Sequence, residues 1–400
     1  MAIRVLSVFG TRPEAVKMAP IVRLLKCTPG VESQVCVTAQ HRQMLDQVLE
    51  AFQIVPDLDL DLMRPDQSLP ELTASIFTHL DPVFVDLRPD WILIQGDTTT
   101  VMAASLLAYY RRIRVGHVEA GLRTGDKWQP FPEEINRRVS GVVADLHFAP
   151  TEWARQNLLR EGVDPGIVRV TGNPVVDALQ YMVKRPPERN VQELLDQIGL
   201  SEDKGFQGPL DRVESSQHPR LILVTAHRRE NFGAPLENIC AALRSLAETY
   251  GDRVRIVYPV HLNPNVQEPV YRLLGNIPNI HLLPPLDYLP LVQMLKRATL
   301  VLTDSGGIQE EAPCLGVPVL VMRQVTERPE GIQAGTAKLV GTDTHTIVSE
   351  TRWLLENRQA YTSMAHAANP YGDGHAAERI VAALLEHSNQ GDLGQASAKE

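Results

Sequence analysis

Short runs rich in Val, Ile and Leu recur along the chain, and between them apolar residues fall at helical spacing. IRVLSVFG (3–10) predicts a strand that stops at Gly10, and PEAVKMAPIVRLLKC (13–27) predicts the helix after it. VESQVCVTA (31–39) and HRQMLDQVLEAF (41–52) repeat the pair, as do DWILIQGD (90–97) and TTTVMAASLLAYYRR (98–112). IRVGHVEA (113–120) and ADLHFAP (144–150) supply two more strands. Nearly all-apolar strands alternating with helices are the pattern of a parallel sheet covered on both faces.

The pattern then begins again. A turn-rich stretch containing RPPERN and a polar, insert-like segment over 201–219 lead into RLILVTAH (220–227). RVRIVYPV, NIHLLPPL, TLVLTDSG and VPVLVMR give further strands. The expectation is α/β: two Rossmann-like doubly wound domains facing a cleft, over residues 1–171 and 172–370. A last helix over 371–388 is expected to cross back onto the first domain, with 389–400 as a flexible tail. Ligands of open α/β sheets lie at the carboxyl ends of the strands, so the informative residues are those just after the strands.

Composition narrows the partners. The 400 residues carry 39 Lys and Arg against 48 Asp and Glu, a net charge of −9. Nucleic acid and anionic membranes both call for a basic footprint, so neither is an expected partner. The N-terminus has no secretory pattern, and no apolar run approaches the roughly 18 residues needed to cross a bilayer. Cys27, Cys36, Cys240 and Cys314 form no CxxC pair, and the expectation is buried thiols in a reducing cytoplasm. No HExxH, Walker A loop or metal-ligand spacing appears, so no metal or cofactor is expected. The absent GxGxxG fingerprint argues against a tightly held nicotinamide.

After the first strand stand Gly10-Thr11-Arg12-Pro13-Glu14, with Lys17 one turn on. A helix start with free N–H groups and two cations is an expected anion site, although the same residues also make an ordinary turn. Asp97 follows the third strand, where an Asp equally serves as a helix cap. Glu119, between an apolar strand and Gly121, has no obvious capping duty. Glu133 and Glu134 open a helix, and Glu133 is four residues from Arg137, hence able to pair with it. Carboxylates at successive element ends predict an acidic cluster whose crowding raises a pKa. In the second domain, His227-Arg228-Arg229 at a strand end suits a phosphate. His261 is a second strand-end histidine. Ser305-Gly306-Gly307 opens a helix where backbone N–H groups can meet a phosphate, with Glu311 in reach of ribose hydroxyls.

GTRPEA, QHRQMLD, QGDTTT, HVEAGLRTGD, FPEEINRR, HRREN, PVHLNP and TDSGGIQEEAP occur in this order between about residues 3 and 385. Together they resemble the non-hydrolysing UDP-N-acetylglucosamine 2-epimerases of bacteria and archaea. The resemblance implies a glycosyltransferase-B-type fold, interconversion of UDP-GlcNAc and UDP-ManNAc, and a homodimer. It implies Asp97, Glu119 and Glu133 as catalytic acids and bases, with His227 at the diphosphate. Arg12, Lys17 and Arg137 would hold substrate or stabilise charge, with UDP on Ser305, Gly306, Gly307 and Glu311. Gln40, His41, Gln43, Arg228 and His261 match positions linked to a second UDP-GlcNAc that acts as activator in bacterial members.

The chemistry fits such a set. C2 of the sugar has no neighbouring carbonyl, so its hydrogen is not acidic enough to remove directly. Expelling UDP first gives an oxocarbenium-like centre, and loss of the C2 proton then gives 2-acetamidoglucal. That route asks for carboxylates around C1 and C2 and a cationic cradle for the diphosphate. A hydrolysing epimerase, a glycosyltransferase on the same fold and a non-catalytic UDP-sugar sensor are the alternatives.

Overall fold

A computed structural model describes residues 2–38, 42–64, 67–186, 188–200 and 219–396. Gln40 and His41 lie outside the described residues, as does the expected insert apart from residue 219. Of Gln43 only the backbone, in the helix Arg42–Ala51, is described.

The first unit holds seven strands: β1 (Ile3–Phe9), β2 (Val31–Val37), β3 (Leu58–Asp59), β4 (Trp91–Gln95), β5 (Arg114–Val118), β6 (Leu146–Ala149) and β7 (Val168–Val170). They form one parallel sheet in the order β3-β2-β1-β4-β5-β6-β7. The chain reverses its direction of winding between β1 and β4, the switch point beside which doubly wound sheets bind ligands. β4 is buried along its whole length, as the unbroken apolar run requires. Packing beneath β5 is close: a Cβ on Gly116 would meet Leu93 Cδ2 at 2.6 Å. The two-residue β3 and the three-residue β7 are too short for apolar periodicity to reveal.

The second unit repeats the plan with β8 (Arg220–Thr225), β9 (Val254–Pro259), β10 (Ile280–Leu283), β11 (Leu300–Thr303), β12 (Val319–Val321) and β13 (Ala337–Leu339). The order is β10-β9-β8-β11-β12-β13, again parallel, with its switch point between β8 and β11. Among the described residues no helix is long and apolar enough to cross a membrane.

Residues up to Gln180, together with those from Tyr371 on, make the first unit, and Tyr181–Pro370 make the second. The division falls after Gln180 rather than after residue 171, because most of the helix Pro174–Val183 belongs to the first unit. There the Asp177 carboxylate accepts the N–H groups of Ala376 (3.2 Å) and Ala377 (2.9 Å), capping the last helix. That helix does return to the first unit: buried Trp91 donates its indole N–H to Ser388 Oγ at 2.9 Å. It begins at Ala376 and its backbone runs to Ala396, so 389–396 continue the helix instead of forming the expected flexible tail. No proline interrupts the segment, and an established helix propagates cheaply. All four cysteines are free; Cys36 and Cys240 are buried and Cys314 partly so, but Cys27 is exposed at the end of its helix, against expectation.

Asp177→Ala removes the cap on two N–H groups and is expected to cost about 1 kcal/mol of stability. Urea unfolding checks this; an unchanged midpoint would mean that the cap contributes nothing.

Candidate active site

The loop after β1 is organised by a carboxylate. Thr11 caps the helix Arg12–Cys27, and Glu14 reaches back in a capping box. Glu14 Oε2 accepts the N–H groups of Gly10 (2.8 Å) and Thr11 (2.7 Å), and Oε1 accepts Thr98 Oγ1 at 2.6 Å. Burial pushes the Glu14 carboxyl up, against the lowering effect of these bonds. Part of the expected anion site thus already has partners within the protein. Two of the amides are taken by Glu14, and Lys17 Nζ donates to Glu119 Oε1 at 2.5 Å. The Thr11-x-x-Glu14 spacing is itself the capping-box signature, and it predicts this outcome.

Glu119 follows β5 with φ +61°, a left-handed backbone that a non-glycine residue rarely adopts. Only 7% of the residue is exposed. Besides Lys17, Oε1 accepts Asn173 Nδ2 at 2.9 Å, and Oε2 accepts Gln95 Nε2. Gly96 (φ +82°) makes the turn after β4, and a Cβ there would sit 3.7 Å from Glu119 Oε2. The strained turn and the three donors hold one carboxylate in place against β4 and β5.

Asp97 is one residue beyond Gly96. Its carboxylate is paired with Arg137, and its carbonyl accepts Asn136 Nδ2 at 3.0 Å. Arg137 does not pair with Glu133, as the four-residue spacing suggested; its second partner is Glu134, at 3.1 Å. Glu134 is fully buried and also accepts Arg138 and the N–H groups of Thr124 (3.2 Å) and Gly125 (3.3 Å). It thereby fastens the loop after β5 to the helix Glu133–Val143. Glu133 Oε2 is buried and, among the described residues, makes no hydrogen bond. The expected crowding of carboxylates is thus an alternation of charge, with Lys17 beside Glu119 and Arg137 beside Asp97. Opposite charges brought into a partly buried site compensate one another's desolvation, which three bare carboxylates cannot do.

Beneath the site, His117 Nε2–H donates to the Gly96 carbonyl at 2.7 Å. Burial lowers the His117 pKa to about 4, and that of His147, aligned with it across β5 and β6, to about 3.

In the second unit, His227 follows β8 with its side chain 38% exposed. Its ring stacks on His261, with centroids 5.3 Å apart and planes 11° from parallel. Burial lowers the His227 pKa, as do His261 and Arg228, while the Asp304 carboxylate opposes them. Arg228 lies 3.8 Å from Glu327, and Arg229 is exposed. Ser305 precedes the helix Gly306–Cys314 without capping it by its side chain, and the space beside Gly307 is open. Glu311 is buried on the same helix. Glu327 flanks Gly306; despite burial, the guanidinium groups of Arg328 and Arg323 hold its pKa down to about 2. Glu14, Gln95, Glu134, Asn173 and Asp304 hold these loops and side chains in place, and apart from the Glu14 spacing the sequence alone assigns none of them that task.

A family model described as UDP-N-acetylglucosamine 2-epimerase matches residues 23–385. The chain is 54% identical over 384 residues to the UDP-N-acetylglucosamine 2-epimerase of Salmonella typhimurium, covering 96% of this chain and 99% of that one. Its structure is similar to that of the UDP-GlcNAc 2-epimerase from Neisseria meningitidis bound to UDP-GlcNAc. There the TM-score is 0.85 at 47% identity, over 96% of this chain and 100% of that one. Acinetobacter baumannii MurG, at TM-score 0.60 and 15% identity over 96% of this chain and 99% of that one, shares the fold alone. The two doubly wound units are of the glycosyltransferase-B type.

Lys17→Met leaves the Glu119 carboxylate buried without its cation, at an expected cost of about 3 kcal/mol; adding Glu119→Gln recovers part of it. Urea unfolding of the single and double variants reads both effects, and an additive double variant would contradict the pairing. The two buried histidines give a pH dependence of definite sign. Their folded pKa values lie below 6.5, so the unfolded chain binds protons that the folded one refuses. Stability is therefore full above about pH 6.5 and falls as the pH drops toward 4, by roughly 2 kcal/mol per histidine at pH 5. His147→Gln should flatten the slope between pH 7 and 5; an unchanged slope would show that His147 does not contribute.

Proposed function

The chain belongs to the UDP-N-acetylglucosamine 2-epimerase family, and we propose that it works as a non-hydrolysing member. In this reading it interconverts UDP-N-acetylglucosamine and UDP-N-acetylmannosamine reversibly. The C1–O bond breaks with its electron pair leaving on the β-phosphate. A carboxylate takes the C2 proton, and C1=C2 forms as 2-acetamidoglucal. The proton then returns on the other face, and UDP adds back to C1.

The observation that carries this reading is Glu119, buried at a strand end, with both oxygens accepting donors and the Asp97–Arg137 pair at the end of the neighbouring strand β4. A carboxylate so held is fixed in direction and suits the offsetting of positive charge at C1. Glu133, with one oxygen buried and unspent, suits the movement of a proton, as does Asp97. Arg12, Lys17 and Arg137 complete the cationic side. In the second unit the uncapped helix start at Ser305, Gly306 and Gly307 supports a phosphate site, with Glu311 for the ribose hydroxyls. His227 acts at the departing diphosphate.

The same family resemblance supports a cytoplasmic homodimer whose product feeds cell-surface polysaccharide synthesis. It also supports a second UDP-GlcNAc as activator at Gln40, His41, Gln43, Arg228 and His261. Of these, Arg228 and His261 lie within the His227 cluster.

Incubation with UDP-GlcNAc in D₂O, followed by NMR, separates the readings. A mixture of both UDP-sugars deuterated at C2 is expected. Free ManNAc with stoichiometric UDP would make the chain a hydrolysing epimerase, and unchanged substrate would overturn the reaction altogether. Asp97→Asn, Glu119→Gln and Glu133→Gln should each lower turnover by about 10²-fold or more, the scale of general acid–base catalysis, while UDP still binds. Near-normal turnover in all three would refute the assignment.

A further inference from the structure

Asp304 is a fully buried carboxylate directly after β11. Its Oδ2 accepts the N–H groups of His227 and Arg228, each at 2.8 Å, and Asn231 Nδ2 at 3.0 Å. Asn231 donates also to the Met322 carbonyl at 3.2 Å, so the loop 227–231 is tied to both β11 and β12. The register beneath is firm. Thr225 pairs with Thr303 across β8 and β11, their hydroxyls 2.6 Å apart, and Tyr258 donates to the Ala226 carbonyl at 2.6 Å.

The other oxygen is different. Asp304 Oδ1 is buried and, among the described residues, has no hydrogen-bond partner, yet it faces His227 Nδ1 at 3.7 Å. A buried, unspent carboxylate oxygen is costly unless it has a task. A few tenths of an ångström of ring movement make it an acceptor, and such contacts commonly tighten only when substrate binds.

We propose that Asp304 is the positioning residue for His227, accepting a hydrogen bond from the imidazole Nδ1–H on Oδ1 and so presenting Nε2 to the diphosphate. This rests on the reading above that His227 serves the departing nucleotide. His261 cannot take the place of Asp304: its Nδ1 accepts the Asn263 N–H at 3.1 Å, and its ring lies flat on that of His227.

Charges around the ring decide the direction of the effect. Asp304 faces His227 from the loop after β11, His261 from the loop after β9, and Arg228 from its own loop. From the loop after β12, Glu327 and Arg323 bear on it through their pairs with Arg228 and Glu230. Asp304 favours the imidazolium, and an arriving diphosphate adds to that preference. With protonated His227 as the working form, turnover falls as the pH rises through its pKa. Removing the Asp304 charge moves that fall to lower pH.

The test is the pH profile of kcat for the wild type, Asp304→Asn, His227→Asn and the double variant. An amide at 304 still offers an oxygen to the three loop donors but presents N–H to Nδ1, disfavouring the proton that the imidazolium carries there. We expect Asp304→Asn to lower kcat roughly 10- to 100-fold with KM little changed, to shift the alkaline limb to lower pH, and to add little to His227→Asn. Unchanged kcat and limb in Asp304→Asn, or full additivity in the double variant, would overturn the pairing while leaving His227 its role. Full turnover in His227→Asn would overturn that role and the pairing with it. Should Asp304→Asn fail to fold, ¹⁵N-histidine NMR of the UDP-bound wild type decides, with the His227 signal identified by its loss in His227→Asn. A protonated Nδ1 supports the pairing, and a bare Nδ1 contradicts it.

Discussion

The first unit depends on keeping a carboxylate charged and aimed where water is scarce. Glu119 sits in left-handed backbone at the end of a buried strand, and Lys17, Gln95 and Asn173 answer its two oxygens. Each donor comes from a different element, so the sheet order must be right before the carboxylate can be satisfied. Without those donors the desolvation cost of the group would make its present position untenable. In the proposed reaction, function and folding therefore draw on the same contacts. The alternation of cation and carboxylate from Lys17 to Glu119 and from Asp97 to Arg137 is the form that compromise takes.

Both units use one device at their switch points. After the first strand of each, two consecutive backbone N–H groups are captured by a single buried carboxylate oxygen. In the first unit Gly10 and Thr11 donate to Glu14, which comes from the helix that follows. In the second, His227 and Arg228 donate to Asp304, which comes from the neighbouring strand. The source of the carboxylate sets what remains for chemistry. Glu14 spends its other oxygen on Thr98 and so ties the first loop to the residue after Asp97. Asp304 keeps an oxygen facing an imidazole.

Much of this was legible in the chain, and the limits have physical causes. The apolar runs that became β1, β4, β5, β8 and β11 announced the sheets, and Asp97, Glu119 and His227 were visible because they follow those runs. The partners were not visible in the same way. Gln95 and Asn173 meet Glu119 only because β4 lies beside β5 and the chain after β7 returns to the same edge. Spacing alone cannot choose the partner of Arg137, since positions three and four residues away on a helix are both in reach. The fully buried Glu134 won that contest. Glu14 carried a readable signal in its distance from Thr11, and the anion-site reading of the loop obscured it. The continuation of the last helix past residue 388 ran against a polar, glycine-containing composition that suggested fraying.

In the proposed reaction the sugar–phosphate link is cut and remade while UDP stays captive. Positional isotope exchange tests it most directly, with ¹⁸O placed in the bridge between C1 and the β-phosphate of UDP-GlcNAc. If the link opens, the label recovered in the UDP-sugar pool scrambles into non-bridging β-phosphate positions as epimerisation proceeds. Epimerised product that keeps all of its label in the bridge would contradict it, since C2 would then have inverted without the C1–O bond ever opening.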